Sequence, residues 1–208
     1  MIASAIIVGI AGTIILATIQ SVRPAEPSYV GAGETVDPNT LPGIQTGPTP
    51  WSPETAHLQQ RIASLGVPPT STMEGSALHI HQHIDIYVHG ARLTVPQYIG
   101  IITQPSVLFA PIHTHDTSGI IHVESPVARD FSLGEFFDVW GVRFTSSCVG
   151  GYCANADDRL RVYGNGRLLT RDPRQLALTQ HEEIVVIFGT SRELPSSIAS
   201  SYEFPSGL

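Results

Sequence analysis

The N-terminal hydrophobic run is the first pattern along the chain, because residues 2–19 contain no charged side chain. At about 1.5 Å per helical residue, such a run crosses most of the hydrocarbon core of a bilayer. We therefore predict a transmembrane anchor over residues 1–20. A cleaved signal peptide and a buried core helix stay open as alternatives, although the run lacks the clear basic segment that precedes the apolar part of a signal peptide.

The rest of the chain divides into three parts by composition. Residues 21–50 are rich in proline and glycine and have almost no apolar periodicity, which predicts an extended linker. Residues 51–189 are predicted to form a histidine-rich domain. Residues 190–208 are rich in serine and proline and are predicted to be a tail.

Two short helices are predicted in the domain. Over residues 51–66, Ser52 can cap the start, Pro53 fits the first helical position and Gly66 can end the last turn. Over residues 132–140, a capping box precedes an apolar run, so this helix is expected to pack its aromatic side chains on a sheet.

A strand with a histidine face is predicted where the hydrophobic period changes to two, from Leu78 onward. The strand ends at a predicted turn at His89 and Gly90, and residues 91–95 return as its hairpin partner. One face holds Leu78, Ile80, Ile84, Ile86 and Val88, and the other holds His79, His81, His83, Asp85 and Tyr87.

A second pair of strands is predicted over residues 107–125, joined by a tight turn at residues 116–119. In a regular hairpin with this turn, His113 faces His122 and His115 shares their face. Three histidines are thereby predicted on one surface of the hairpin.

The C-terminal part of the domain is predicted to add a hairpin at Asn165 and Gly166, a helical turn at residues 172–176 and a buried strand at residues 182–189. Together these elements predict the fold class α+β, a mainly antiparallel β domain with short helices that follows one N-terminal transmembrane helix.

The charge of the chain limits the classes of function that are possible. The net charge is −7, from 18 acidic residues against 11 basic residues, and the sequence contains no lysine. Without a basic stripe to displace counterions, we expect no nucleic-acid partner. The lack of lysine also excludes Schiff-base and phosphate-loop lysine chemistry.

The nine histidines of this weakly charged chain point to metal coordination. Imidazoles at alternate strand positions leave the same face about 6.6 Å apart, and directly opposed cross-strand side chains are about 5 Å apart at Cβ, so their rings can converge on one ion. We expect copper or zinc as the ion, because imidazole suits both. The candidate ligands are His79, His81, His83, His113, His115 and His122.

Carboxylates near these histidines are candidates for supporting chemistry. Glu124 is a candidate carboxylate ligand or base, and Asp116 and Asp85 are candidates for orienting the imidazoles. We assign no role to His57 and expect His181 on the surface. The strand order decides whether the histidines form one site or two, and the sequence leaves that order open.

We predict the first of three possible functions, a membrane-tethered extracytoplasmic protein that binds copper or zinc for capture, storage or delivery. The second is a metal-dependent enzyme in which a three-histidine centre activates water or dioxygen, with Glu124 or Asp116 as proton acceptor. The third is an adhesion or assembly module whose histidines only form a structural network. The sequence specifies no protein partner.

Cys148 and Cys153 are separated by four residues, two of them glycine. In an oxidising compartment such a pair is predicted to form a disulfide that closes a small loop. Direct metal ligation by the thiolates and free thiols are the alternatives.

The motifs HIHQHIDIYVHG, PIHTHDTSGIIHVESP and FSLGEFFDVWGV with SSCVGGYC resemble those of an uncharacterised group of membrane-anchored, histidine-rich bacterial proteins found especially in actinobacteria. The resemblance covers roughly residues 73–189. It implies that the histidines act together and that the domain lies outside the cytoplasmic membrane, and it implies no particular reaction.

Overall fold

The computed structural model of the protein describes residues 26–31, 36–70 and 77–208. Within these ranges, no helix combines the length and the apolar character that crossing a bilayer requires. The predicted transmembrane anchor over residues 1–20 lies outside the described residues.

A seven-stranded sheet forms the centre of the domain, in the order β10-β9-β11-β1-β6-β5, with β2 also paired to β1. The strands in chain order are β1 (Leu78–Val88), β2 (Ala91–Leu93), β3 (Ile101–Ile102), β4 (Leu108–Phe109), β5 (Ile112–His113), β6 (Ile120–Ser125), β7 (Cys148–Val149), β8 (Tyr152–Cys153), β9 (Arg159–Gly164), β10 (Arg167–Leu168) and β11 (Glu183–Gly189). β3 pairs with β4 and β7 with β8 in two smaller sheets.

The sheet is mixed because β1 has partners of both orientations. The first half of β1 pairs antiparallel with β6, and its second half pairs parallel with β11. The other neighbours in the sheet are antiparallel. The predicted α+β class with mainly antiparallel strands is confirmed, whereas the sequence pattern did not predict the parallel pair.

The hydrophobic core lies between one face of the sheet and helix α2 (Leu133–Trp140). The predicted capping box is present, since Ser132 and Glu135 bond each other's backbone amides, and Gly141 ends the helix with φ +79°. Phe136 and Phe137 are fully buried. Burial of such a side chain stabilises the fold by about 1.5–3 kcal/mol.

Helix α1 (Leu58–Ser64) begins later than the sequence predicted. Glu54 lies in the first turn of the predicted helix, but its amide donates to the carbonyl of Trp140 at 3.3 Å, and its carboxylate binds the buried guanidinium of Arg61. The same carboxylate accepts the amide of His57 at 3.2 Å. These contacts hold residues 54–57 outside the helix, so the predicted start at Ser52 and Pro53 is wrong.

Described parts of the predicted linker pack on the domain. Tyr29 forms a β-bridge with Leu176, and the amide of Gln45 donates to the carbonyl of Gly141 at 2.8 Å. Leu41 is buried. The described parts of this segment contact the domain through backbone hydrogen bonds and the buried side chain of Leu41, whereas the proline content predicted an extended linker.

The predicted hairpins are confirmed at their turns. His89 and Gly90 have φ +47° and +77°, and Asn165 and Gly166 have φ +49° and +77°. Positive φ at both central residues is the geometry that matches the twist of two-residue β-hairpins.

Cys148 and Cys153 lie directly opposite each other in the β7-β8 hairpin and form a disulfide, with their Cα atoms 4.1 Å apart. The disulfide prediction is confirmed. Neither sulfur is therefore a free thiolate that could bind a metal ion.

Candidate metal centre

The strand order brings the two histidine motifs together, because β6 lies between β1 and β5. His81 is directly opposite His122 on one side of β6, and His113 is directly opposite His122 on the other side. His79 is opposite Glu124. The predicted pairing of His113 with His122 is confirmed.

These side chains gather on the sheet face that points away from the core. We call the group formed by His79, His81, His113, His115, His122 and Glu124 the Glu124 cluster. All of its members except His115 lie on strands of the central sheet.

Glu124 is the centre of the cluster. Its Oε1 atom lies 3.3 Å from Nδ1 of His122 and 3.4 Å from Nε2 of His79. The same atom lies 3.8 Å from Nε2 of His113 and 4.0 Å from Nε2 of His115. Four imidazoles thus surround one carboxylate oxygen. The other oxygen, Oε2, is buried and has no hydrogen-bond partner among the described residues.

His81 contributes two unused nitrogens. The residue is buried, and neither Nδ1 nor Nε2 has a hydrogen-bond partner within the described part of the chain. Its backbone is fixed, since its amide donates to Oε1 of Gln180 and its carbonyl accepts the amide of His181, both at 2.7 Å. A buried polar atom without a partner costs free energy, so these nitrogens suit a ligand that supplies the missing bond.

The tautomer of His113 is set by the backbone. Its Nδ1 lies 2.9 Å from the carbonyl oxygen of Ala110, which can only accept, so Nδ1 carries the proton. This leaves the Nε2 lone pair of His113 directed into the cluster, 3.2 Å from Nε2 of His115. A carbonyl that orients an imidazole in this way is typical of histidine ligands.

Thr114 holds the segment that carries His113 and His115. Its hydroxyl donates to the carbonyl of Pro96 at 2.9 Å and accepts the amide of Ile99 at 3.1 Å. Since the side chain of Thr114 points toward residues 96–99, the two flanking histidines project together toward β6.

The protonation states favour metal binding. Burial lowers the pKa of His113 to about 4. Burial, together with the charges of His122 and His79, lowers the pKa of His81 to about 4. Burial opposes ionisation of Glu124, but the neighbouring imidazoles, chiefly those of His115 and His122, outweigh it and hold the pKa of Glu124 well below its usual range. The cluster therefore combines at least two neutral imidazoles, those of His81 and His113, with an ionised carboxylate near neutral pH.

Two overlapping groups in the cluster could hold a metal ion. Each has its ligand atoms within 4.8 Å of one another, and both contain His122 and Glu124. The first group adds His79 and His81, and the second adds His113 and His115. The donor set of neutral imidazoles and one carboxylate suits a transition metal.

His83 lies outside the cluster, although it shares the strand face of His79 and His81. Its Nδ1 is 2.7 Å from Oε2 of Glu183, and its Nε2 is 3.1 Å from the carbonyl oxygen of Ser118. Tyr202, from the predicted tail, stacks on the imidazole with ring centroids 3.7 Å apart. We call these four residues the His83 network.

The two carboxylates predicted to orient the imidazoles, Asp116 and Asp85, have other partners. Asp116 accepts the amide of Ser118 at 2.8 Å and so shapes the turn before β6. Hydrogen bonds from Ser118 hold the pKa of Asp116 below its usual value. Asp85 accepts Nε of Arg92 at 2.8 Å.

The remaining histidines lie elsewhere, all three outside the Glu124 cluster. His57 contacts Glu54, His89 contacts Glu193, and His181 is exposed and stacks on Phe204.

Sequence reasoning missed the residues that position the imidazoles. The carbonyl of Ala110 and the side chains of Thr114, Gln180 and Glu183 act through contacts that carry no local motif. Only Glu183 had a signal, since a carboxylate at the start of an otherwise apolar strand is unusual in a buried position.

Comparison with known protein families, with curated proteins and with solved structures finds no match for this chain.

Proposed function

We propose that the protein binds copper or zinc through the Glu124 cluster and serves in capture, storage or delivery of the ion. The observation that carries the proposal is the set of imidazole nitrogens within 4.0 Å of one buried carboxylate oxygen. Ligands of this kind bind such ions at about 2.0–2.1 Å, so two ligands of one ion are at most about 4.2 Å apart, and the distances to Oε1 of Glu124 lie within that limit.

We further propose that the domain is displayed outside the cytoplasmic membrane, as the resemblance to membrane-anchored bacterial proteins implies. The uncharged run over residues 2–19 supports an anchor. The disulfide between Cys148 and Cys153 supports an oxidising compartment.

The cluster offers five histidines and a carboxylate, donor types that hold copper or zinc. Such a donor set suits retention or transfer of an ion.

The test is elemental analysis with absorption spectroscopy of the full-length protein, loaded with Cu²⁺ or Zn²⁺ and then dialysed. We expect retained metal in the wild type and a loss in a triple variant, His113→Ala with His115→Ala and His122→Ala. The control is His57→Ala, which removes a half-exposed imidazole outside the cluster. Equal retention by the wild type and the triple variant would refute the proposal and leave a purely structural histidine network.

A further inference from the structure

The donors of the Glu124 cluster exceed what a single four-coordinate ion can use. Ligands bound at about 2.0–2.1 Å lie at most about 4.2 Å from one another, and a tetrahedral ion takes four of them. The cluster holds six side chains, and the two candidate groups each contain four of them. Only His122 and Glu124 are common to both groups.

The two H-x-H pairs lie on opposite sides of β6. Neighbouring strands are about 4.8 Å apart, so the backbones of β1 and β5 are separated by about 9.6 Å. The pair from β1, His79 and His81, is thereby nearer to one side of Glu124, and the pair His113 and His115 is nearer to the other.

The two pairs also repeat one arrangement. Each has a buried histidine, with His81 4% and His113 0% exposed. Each also has a more accessible one, since the side chains of His79 and His115 are 44% and 30% exposed. Each side of β6 thus has one histidine fixed in the interior and one that solvent can reach.

Glu124 has the properties of a bridging ligand. Its Oε1 atom faces imidazoles of both pairs, and its Oε2 atom is buried without a partner among the described residues. A carboxylate oxygen has two lone pairs, so Oε1 can contact an ion on each side, and the negative charge of the carboxylate reduces the repulsion between two cations.

We propose that the Glu124 cluster is a two-metal centre. His79 and His81 hold one ion, His113 and His115 hold the other, the carboxylate of Glu124 bridges them, and His122 completes one of the two coordination shells. The inference rests on the proposed function and adds its stoichiometry and the role of the carboxylate. Two-metal sites typically hold their ions about 3.5–4 Å apart.

The test is Zn²⁺ binding to the full-length protein, followed by isothermal titration calorimetry and elemental analysis after gel filtration. We expect two ions per chain in the wild type. We expect one ion in the double variant His79→Ala with His81→Ala, and one in the matched double variant His113→Ala with His115→Ala. The His57→Ala variant should keep two.

Because His81 and His113 are buried, their replacement can also perturb folding, so the accessible histidines give a second comparison. His79→Ala and His115→Ala should each weaken one of the two Zn²⁺ binding steps by at least about tenfold and leave the other unchanged. Circular dichroism should show that both variants remain folded.

Cu²⁺ gives an independent measure of the spacing of the two ions. With two equivalents bound, electron paramagnetic resonance should show magnetic coupling that is absent at one equivalent.

The possible results separate this inference from the proposed function. One Zn²⁺ ion per wild-type chain, lost in both double variants, would overturn the two-metal centre and leave the proposed function intact. Two ions that neither double variant reduces would overturn the assignment to these residues. No retained ion would overturn both proposals.

Discussion

His81 and His83 lie two residues apart on the same face of β1, yet they belong to contrasting regions. In the His83 network, both imidazole nitrogens have protein partners, and Tyr202 stacks on the ring. In the Glu124 cluster, both nitrogens of His81 are buried without a partner among the described residues. The availability of donor atoms, and not the histidine pattern, therefore distinguishes a structural imidazole from a candidate ligand.

The largest effect is expected when the hydrogen-bond partner of His83 is removed. In Glu183→Ala, the buried imidazole of His83 loses its hydrogen-bond partner at Nδ1, which should lower the free energy of unfolding by about 2–3 kcal/mol. Denaturant unfolding of the metal-free protein measures the loss, and Zn²⁺ retention by the folded variant should be unchanged. A variant as stable as the wild type would show that the His83 network does not stabilise the fold.

The matched change in the other region is Glu124→Gln. It keeps the size of the side chain but removes the charge and one acceptor oxygen, so Zn²⁺ affinity should fall at least about tenfold, or about 1.4 kcal/mol. Competition with a coloured chelator measures the affinity. If Glu124→Gln and Glu183→Gln had the same small effect on Zn²⁺ affinity, the contrast between the two regions would be wrong.

A smaller effect is expected from Tyr202→Ala. Its ring stacks on His83 with an interplanar angle of 6°, and such ring pairs contribute about 1 kcal/mol. Thermal unfolding should show the loss, and Tyr202→Phe, which keeps the stacked ring, is the control. Equal losses in the two variants would assign the contribution to the hydroxyl group instead of the stacking.

A further effect concerns pH. Burial lowers the pKa of His113 from 6.5 to about 4, so the unfolded chain takes up a proton at this residue at a higher pH than the folded chain. This residue therefore contributes a loss of stability as the pH falls from 6.5 toward 4, and the loss levels off below the folded pKa.

The melting temperature of the metal-free wild type should accordingly fall relative to that of His113→Gln over this pH range. The comparison between the two chains is needed because burial raises the pKa of Glu182 and Glu183, and these groups act in the opposite direction. Parallel pH curves for the two chains would contradict the assigned role of His113.

Much of the sheet follows from local patterns. The alternation in β1 predicts the histidine face, and the turn before β6 predicts the pairing of His113 with His122. The start of α1 could not be predicted, because Glu54 is held by a backbone contact with Trp140. Local periodicity describes a strand but not the distant segments that bind its side chains.

The sequence predicted the residue types of the candidate site. It could not predict which histidines belong to the site and which belong to the His83 network. His83 has the same spacing as His79 and His81, but Glu183 reaches it through the parallel pairing of β1 with β11. That pairing joins residues 100 positions apart and leaves no local signal. The strand order that places β6 between the two histidine pairs likewise leaves no local signal in the sequence.

The most direct test of the central claim is X-ray absorption spectroscopy of the full-length protein loaded with Zn²⁺. Coordination by the Glu124 cluster predicts nitrogen and oxygen ligands at about 2.0–2.1 Å, with the outer-shell scattering of imidazole and no sulfur at about 2.3 Å. A spectrum without imidazole scattering, or one with sulfur in the first shell, would contradict the account.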